Sequence, residues 1–121
     1  MSKIVDAAAA VASIPDGSSV GCVGVIGWVT PDTLLKALGD RFRKEAAPRN
    51  LTFYFPVGTG DAQGIKGMDH VAQEGLMKRI VGGSYINPVD PVTGKRPSRV
   101  PKRISRNSAR LLTKSPIFLS T

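Results

Sequence analysis

The sequence predicts an α/β fold, a doubly wound parallel sheet left incomplete and followed by an irregular basic tail. Two observations carry this expectation. Strand-like and helix-like segments alternate over the first two thirds of the chain, with turn residues between them. The charge is gathered beyond them: residues 1–83 hold nine basic and eight acidic side chains, whereas residues 84–121 hold eight basic ones against Asp90 alone. A length of 121 residues allows one domain or a piece of a larger one, and excludes two independent cores. With 41% hydrophobic residues and a mean hydropathy of −0.03, the chain can build a core, which excludes wholesale disorder.

Each element has its own reason. Residues 6–13 are mostly alanine, the best helix former, and Pro15-Asp16-Gly17 ends them in a turn. Residues 19–26 are rich in Val and Gly and carry no charge, as expected of a buried strand. Thr30 then reads as an N-cap, with Pro31 at the first helical position and Asp32 in the first turn. Leu34, Leu35, Leu38 and Phe42 make one apolar stripe on this second helix, and Lys36, Asp40, Arg41 and Lys44 its polar face. Pro48-Arg49-Asn50 breaks it before a compact strand over residues 51–55.

The loop at 57–67 holds Gly58, Gly60, Gly64 and Gly67, a density that signals unusual backbone angles or close approach of the main chain. A short helix over 69–75 and a short strand over 78–81 complete the pattern. Strands alternating with helices pair in parallel through right-handed crossovers, a Rossmann-like arrangement. Three short strands and two or three helices leave much of such a sheet bare. The exposed face therefore predicts self-association into a homo-oligomer or a need for partner chains. From residue 87 onward Pro88, Pro91, Gly94, Pro97 and Pro101 come too densely for a helix or central strand, and disorder is expected of the tail.

The apolar stretches near 7–14 and 20–29 fall short of the roughly 20 residues of a membrane-spanning helix, so no membrane segment is expected. No signal peptide is read in the first residues. Cys22 is the single cysteine and has no partner for an internal disulfide, which fits a reducing compartment, with cytoplasm the default.

Candidate sites are few. Gly21, Gly24 and Gly27 line the end of the first strand and the turn into the second helix, where open α/β sheets bind ligands. Their G-x-x-G-x-x-G spacing departs from the dinucleotide fingerprint, and by spacing alone a ligand role and close helix packing are equally good readings. Trp28 either walls a pocket there or closes the top of the core. Gly58-Thr59-Gly60-Asp61 lacks the Gly-Lys-Ser/Thr ending of a P-loop, so ATP binding is rejected. His70 is the only histidine and makes at best a chance set with Cys22 and Asp69, so neither a metal site nor a Cys-His nucleophile is expected. Cys22 reads as a small buried residue and Glu74 as a solvated charge.

Taken in order, residues 10–20, 24–38, 48–52, 58–61, 64–67, 73–83, 84–88 and 90–97 resemble the opening of the family I CoA-transferases, above all the acetate or propionate type that fuses both halves in one long chain. The likeness covers roughly residues 4–97 as several blocks in the right order. The resemblance implies an enzyme of short-chain acyl-CoA and ketone-body metabolism that moves CoA between an acyl-CoA and a carboxylate such as acetate, with coenzyme A as substrate and no bound cofactor. In that family a glutamate attacks the thioester to give an acyl-glutamyl anhydride, and then a glutamyl-CoA thioester forms. The glutamate lies in a Glu-x-Gly context. Here Glu45 is followed by Ala-Ala and Glu74 by Gly-Leu, so the chain has no matching catalytic residue. The resemblance assigns Gly24, Val25, Ile26, Gly27 and Trp28 to the segment facing the acyl pocket. It also matches Gly58, Gly60 and Asp61 without giving them individual roles.

The likeness ends near Pro97. The expected organisation is thus a partial CoA-transferase domain over 1–97 and a basic tail over 98–121, the product of truncation or a frameshift, inactive alone unless a downstream chain complements it. The alternative is a small non-catalytic module whose basic tail binds nucleic acid or an acidic partner. Only Phe118 interleaves with the tail's basic residues as a stacking surface.

Overall fold

In a computed structural model of the chain, residues 3–24, 28–60, 66–83, 89–95, 102–104 and 117–119 are described. Helix α1, Ala7–Ala12, is capped by Asp6, whose carboxylate accepts the Ala9 N–H at 2.7 Å. Strand β1 follows at Ser19–Cys22, helix α2 at Asp32–Glu45 and strand β2 at Leu51–Phe55. A 3-10 turn at Met68–Val71 leads into strand β3, Met77–Gly82. All strand pairs are parallel, as the alternation predicts.

The core occupies one face of the sheet. Along β2, Leu51, Phe53 and Phe55 are buried while Thr52 and Tyr54 are half-buried, the period-two signature of a sheet with unequal faces. Val20 and Cys22 of β1 and Ile80 of β3 join the buried set, and Val11, Leu35, Leu38, Met68 and Val71 cover it from the helical side. Both helices and the 3-10 turn therefore pack on the same face. Among the described residues no helix covers the other, and Lys78 and Arg79 of β3 stand exposed. The molecule is an α/β parallel sheet with an incomplete second layer.

Several boundaries differ from the sequence expectation. Pro31, not Thr30, occupies the N-cap of α2 and supplies no side-chain cap, so the helix begins one residue later than the Thr-Pro-Asp signal suggests. Strand β1 ends at Cys22, earlier than the Val and Gly run implied. The helix expected over 69–75 shrinks to a single 3-10 turn, because the backbone leaves helical angles at Ala72, with ψ of 50°, and Gly75 beyond it has a φ of 93°.

The sequence reading gave no element to the tail. The structure puts two three-residue strands in it, β4 at Lys102–Ile104 and β5 at Ile117–Leu119, and the sheet order is β4-β3-β2-β1-β5. The chain thus steps outward from β1 to β4 and reappears beyond β1 as β5. That reversal marks the carboxyl ends of the strands, beside β1, as the topological switch point.

The segment 89–95 is tied to α2 through an ion pair, Arg43 Nη2 to Asp90 Oδ1 at 2.6 Å, and Asp90 also accepts the backbone N–H groups of Val92 and Thr93. Burial on its own raises this carboxyl, but the Arg43 hydrogen bond, the two backbone donors and the Arg43 charge together hold it below the usual carboxylate value. Because the folded state favours the ionised form, its contribution is complete above the ordinary carboxylate range and is lost as pH falls through and below that range. Thermal melts of the wild type and Asp90→Asn, run from pH 7 to pH 3, should show a stability gap that narrows as acid is added. A constant gap would discount the ion pair.

Candidate functional site

The switch point is where three segments meet. Gly24 follows the end of β1 and is buried. A Cβ placed on it would lie 2.9 Å from Thr59 Cγ2, 3.0 Å from the Val29 carbonyl oxygen and 3.3 Å from Thr30 Cα. The end of β1, the loop after β2 and the approach to α2 are therefore in contact at one point that only glycine fits. No helical residue takes part in this contact, so it decides neither of the two readings that spacing left open, a ligand role or close helix packing.

Of the other residues assigned to the acyl pocket, Val25, Ile26 and Gly27 lie outside the described residues. Trp28 is 78% exposed and Val29 beside it 60% exposed, with Val29 at φ of 50°, an unfavourable angle for a β-branched side chain. An indole in that position does not close the core, which removes one of the two readings of Trp28. Asp61 also lies outside the described residues, while Gly60 forms an antiparallel bridge with Gly67 that pins the two ends of the glycine-rich loop together.

Cys22 and Thr59 sit side by side beneath this surface, both buried. Burial pushes the Cys22 thiol up to about 11, and the Thr59 hydroxyl works less strongly in the opposite sense. Thr59 Oγ1 has no partner at full hydrogen-bond geometry among the described residues, so its contact with the thiol is a weak one. A thiol held protonated is a poor nucleophile, in keeping with Cys22 as a packed residue.

His70 finds a partner that the sequence did not suggest. Its Nε2 lies 3.1 Å from Asp32 Oδ1, and the same oxygen accepts the Gly67 N–H at 2.7 Å. One carboxylate in the first turn of α2 thus holds both the 3-10 turn and the end of the glycine-rich loop. The imidazole is nearly buried, whereas Asp32 is about half-exposed. Asp69 points elsewhere, fully buried and accepting the Val89 N–H at 3.2 Å. The set of Cys22, Asp69 and His70 is therefore not a cluster, and among the described residues no group of three or more His, Cys, Asp or Glu side chains converges on a metal position. Asp32 and His70 are 38 positions apart, and no local pattern links them.

The two glutamates lie at the opposite end of the sheet. Glu45 ends α2, where it pairs with Arg41 at 3.2 Å, and Glu74 precedes β3 on the exposed surface. Both flank the amino ends of strands. A separate cavity of about 520 Å³ opens between α1 and α2, lined by Ala8, Val11, Ala37, Asp40 and Lys44 among others and by no strand residue. It belongs to the helical layer, away from the strand ends. No described helix is long and apolar enough to cross a membrane.

No family model matches the chain. Relatives do. It is 35% identical over 83 residues to acetate CoA-transferase YdiF of Escherichia coli, in both strain K12 and O157:H7, a match spanning 68% of this chain and 15% of the relative. It is 36% identical over 81 residues to caffeate CoA-transferase of Acetobacterium woodii, across 65% of this chain and 15% of that one. Among solved structures, the YdiF acyl-CoA transferase apoenzyme from E. coli O157:H7 superposes with a TM-score of 0.59 at 35% identity, over 66% of this chain and 16% of that chain. The same enzyme as a thioester complex with CoA gives 0.58 over 65% and 15%. The chain spans about 15% of the length of the curated relatives it matches. Similar in sequence and in strand arrangement across some two thirds of its residues, it is related to the CoA-transferases and carries one portion of their fold.

Proposed function

We propose that this chain contributes the strand-end floor of a CoA-transferase pocket, in which CoA passes between an acyl-CoA and a short-chain carboxylate such as acetate, and that the attacking glutamate comes from outside it. The observation that supports this reading is the crowding at Gly24, where the chain just past β1, the loop after β2 and the approach to α2 touch at the switch point of a parallel sheet. The segment 24–28 would then face the acyl group, with the exposed Trp28 beside it. Glu45 and Glu74 flank the strands' amino ends, far from that edge, and a nucleophile acts only within reach of the thioester carbonyl. The reading follows that the chain alone is inactive, and that a complementing polypeptide carrying the family glutamate restores exchange. Coenzyme A enters as a substrate.

The test is an exchange assay with acetate and several acyl-CoAs, paired with peptide mapping of any glutamyl adduct. Neither exchange nor adduct is expected of the purified chain, and exchange should appear when a polypeptide supplying the remaining portion is added. A CoA adduct on Glu45 or Glu74 would overturn the proposal. DNA binding that falls steeply with salt would instead favour a nucleic-acid module.

A further inference from the structure

The central strands leave two edges, β3 on one side and β1 on the other, and each would present a row of unpaired backbone N–H and C=O groups to a neighbouring chain. Both edges are occupied by the same short basic segment. β4 lies parallel to β3 with Lys102, Arg103 and Ile104 opposite Ile80, Val81 and Gly82. β5 lies parallel to β1 with Ile117, Phe118 and Leu119 opposite Val20, Gly21 and Cys22. We propose that residues 98–121 act as an edge guard in cis, one segment of the chain closing both margins of the sheet against strand addition by a second copy.

Three features support a guard over a passive tail. Each new outer strand is only three residues long, too short to template further pairing, and β4 carries Lys102 and Arg103, the residue type that blunts sheet edges. The segment also bears six of the chain's basic residues and no acidic one, so two copies approaching through these margins repel. Finally, one chain can reach both edges. Crossing five strands at about 4.8 Å spacing requires roughly 20 Å, and residues 105–116 span about 40 Å when extended. The guard is independent of any role in thioester exchange.

Amide hydrogen exchange on the unaltered full chain, followed by NMR at two protein concentrations, tests it directly. Inward-pointing amides of 102–104 and 117–119 should exchange at least about tenfold more slowly than an unstructured peptide, equally at both concentrations. Unprotected tail amides would overturn the guard, and protection that disappears on dilution would overturn its cis character. In K102P/R103P the inward donor of β4 is lost whichever of the two residues supplies it, because successive residues of a strand face opposite sides. Exchange at 80–82 should then quicken about tenfold, and sedimentation should become concentration-dependent. F118P/L119P should do the same at 20–22, and S108P, between the two strands, should do neither. Wild-type exchange and sedimentation in both double variants would refute the proposal.

Discussion

Substitution of Gly39 by alanine is expected to destabilise the protein by about 3 kcal/mol or more, even though alanine is the better helix former by roughly 1 kcal/mol. Gly39 lies in the middle of α2, and a Cβ there would meet the His70 carbonyl oxygen at 2.2 Å and Gln73 Nε2 at 3.1 Å. The first contact is with backbone, which cannot rotate away. The second breaks a bridge: Gln73 Nε2 donates to the Gly39 carbonyl at 3.0 Å and to the His70 carbonyl at 2.9 Å, joining α2 to the 3-10 turn. Buried donors left without acceptors cost about 1–3 kcal/mol each. Urea denaturation measures the loss, and the His70 imidazole resonances report whether the contact with Asp32 is broken with it. A Gly39→Ala chain as stable as the wild type would mean that α2 does not pack this closely.

The second large effect is expected at Phe53. This side chain is fully buried at the centre of β2, between β1 and β3 and beneath the helical layer. Truncation to alanine should cost about 3–5 kcal/mol, as large-to-small substitutions of buried aromatics do. That is a large share of the 5–15 kcal/mol typical of a whole domain, and a sheet with one poorly covered face has little to spare. Phe53→Ala should therefore be largely unfolded at ambient temperature, with Phe53→Leu retaining a cooperative melt. Tyr54, its neighbour on the opposite and half-buried face, should lose far less on truncation. Equal losses at the two positions would contradict the one-sided core.

Much of this architecture was legible in local pattern. The stripe of Leu34, Leu35, Leu38 and Phe42 announced α2, and the aromatic, Leu and Thr residues of Leu51–Phe55 announced a strand, whose single buried face appears only in the structure. The ends were harder to read. Thr30-Pro31-Asp32 has the composition of a helix start, yet a ψ of 59° at Pro31 moves the cap by one residue, a matter of backbone path that residue types do not encode. The blocks that resemble CoA-transferases marked the relationship, because glycine and proline positions preserve the turns of a fold across a divergent sequence.

By itself, then, the sequence determined the α/β alternation, the apolar stripe of α2 and the resemblance, since all three rest on residue types and spacings within short stretches. Tertiary structure alone decided the remainder. It joined Asp32 to His70 and Gly67, set Gly39 against a carbonyl some thirty residues away, turned Trp28 out of the core and laid two pieces of the basic segment along the sheet. The reason is the same in each case: these contacts depend on which elements stack across long loops, and edge pairing in particular is made by backbone groups that every residue carries, so no side-chain pattern foretells it.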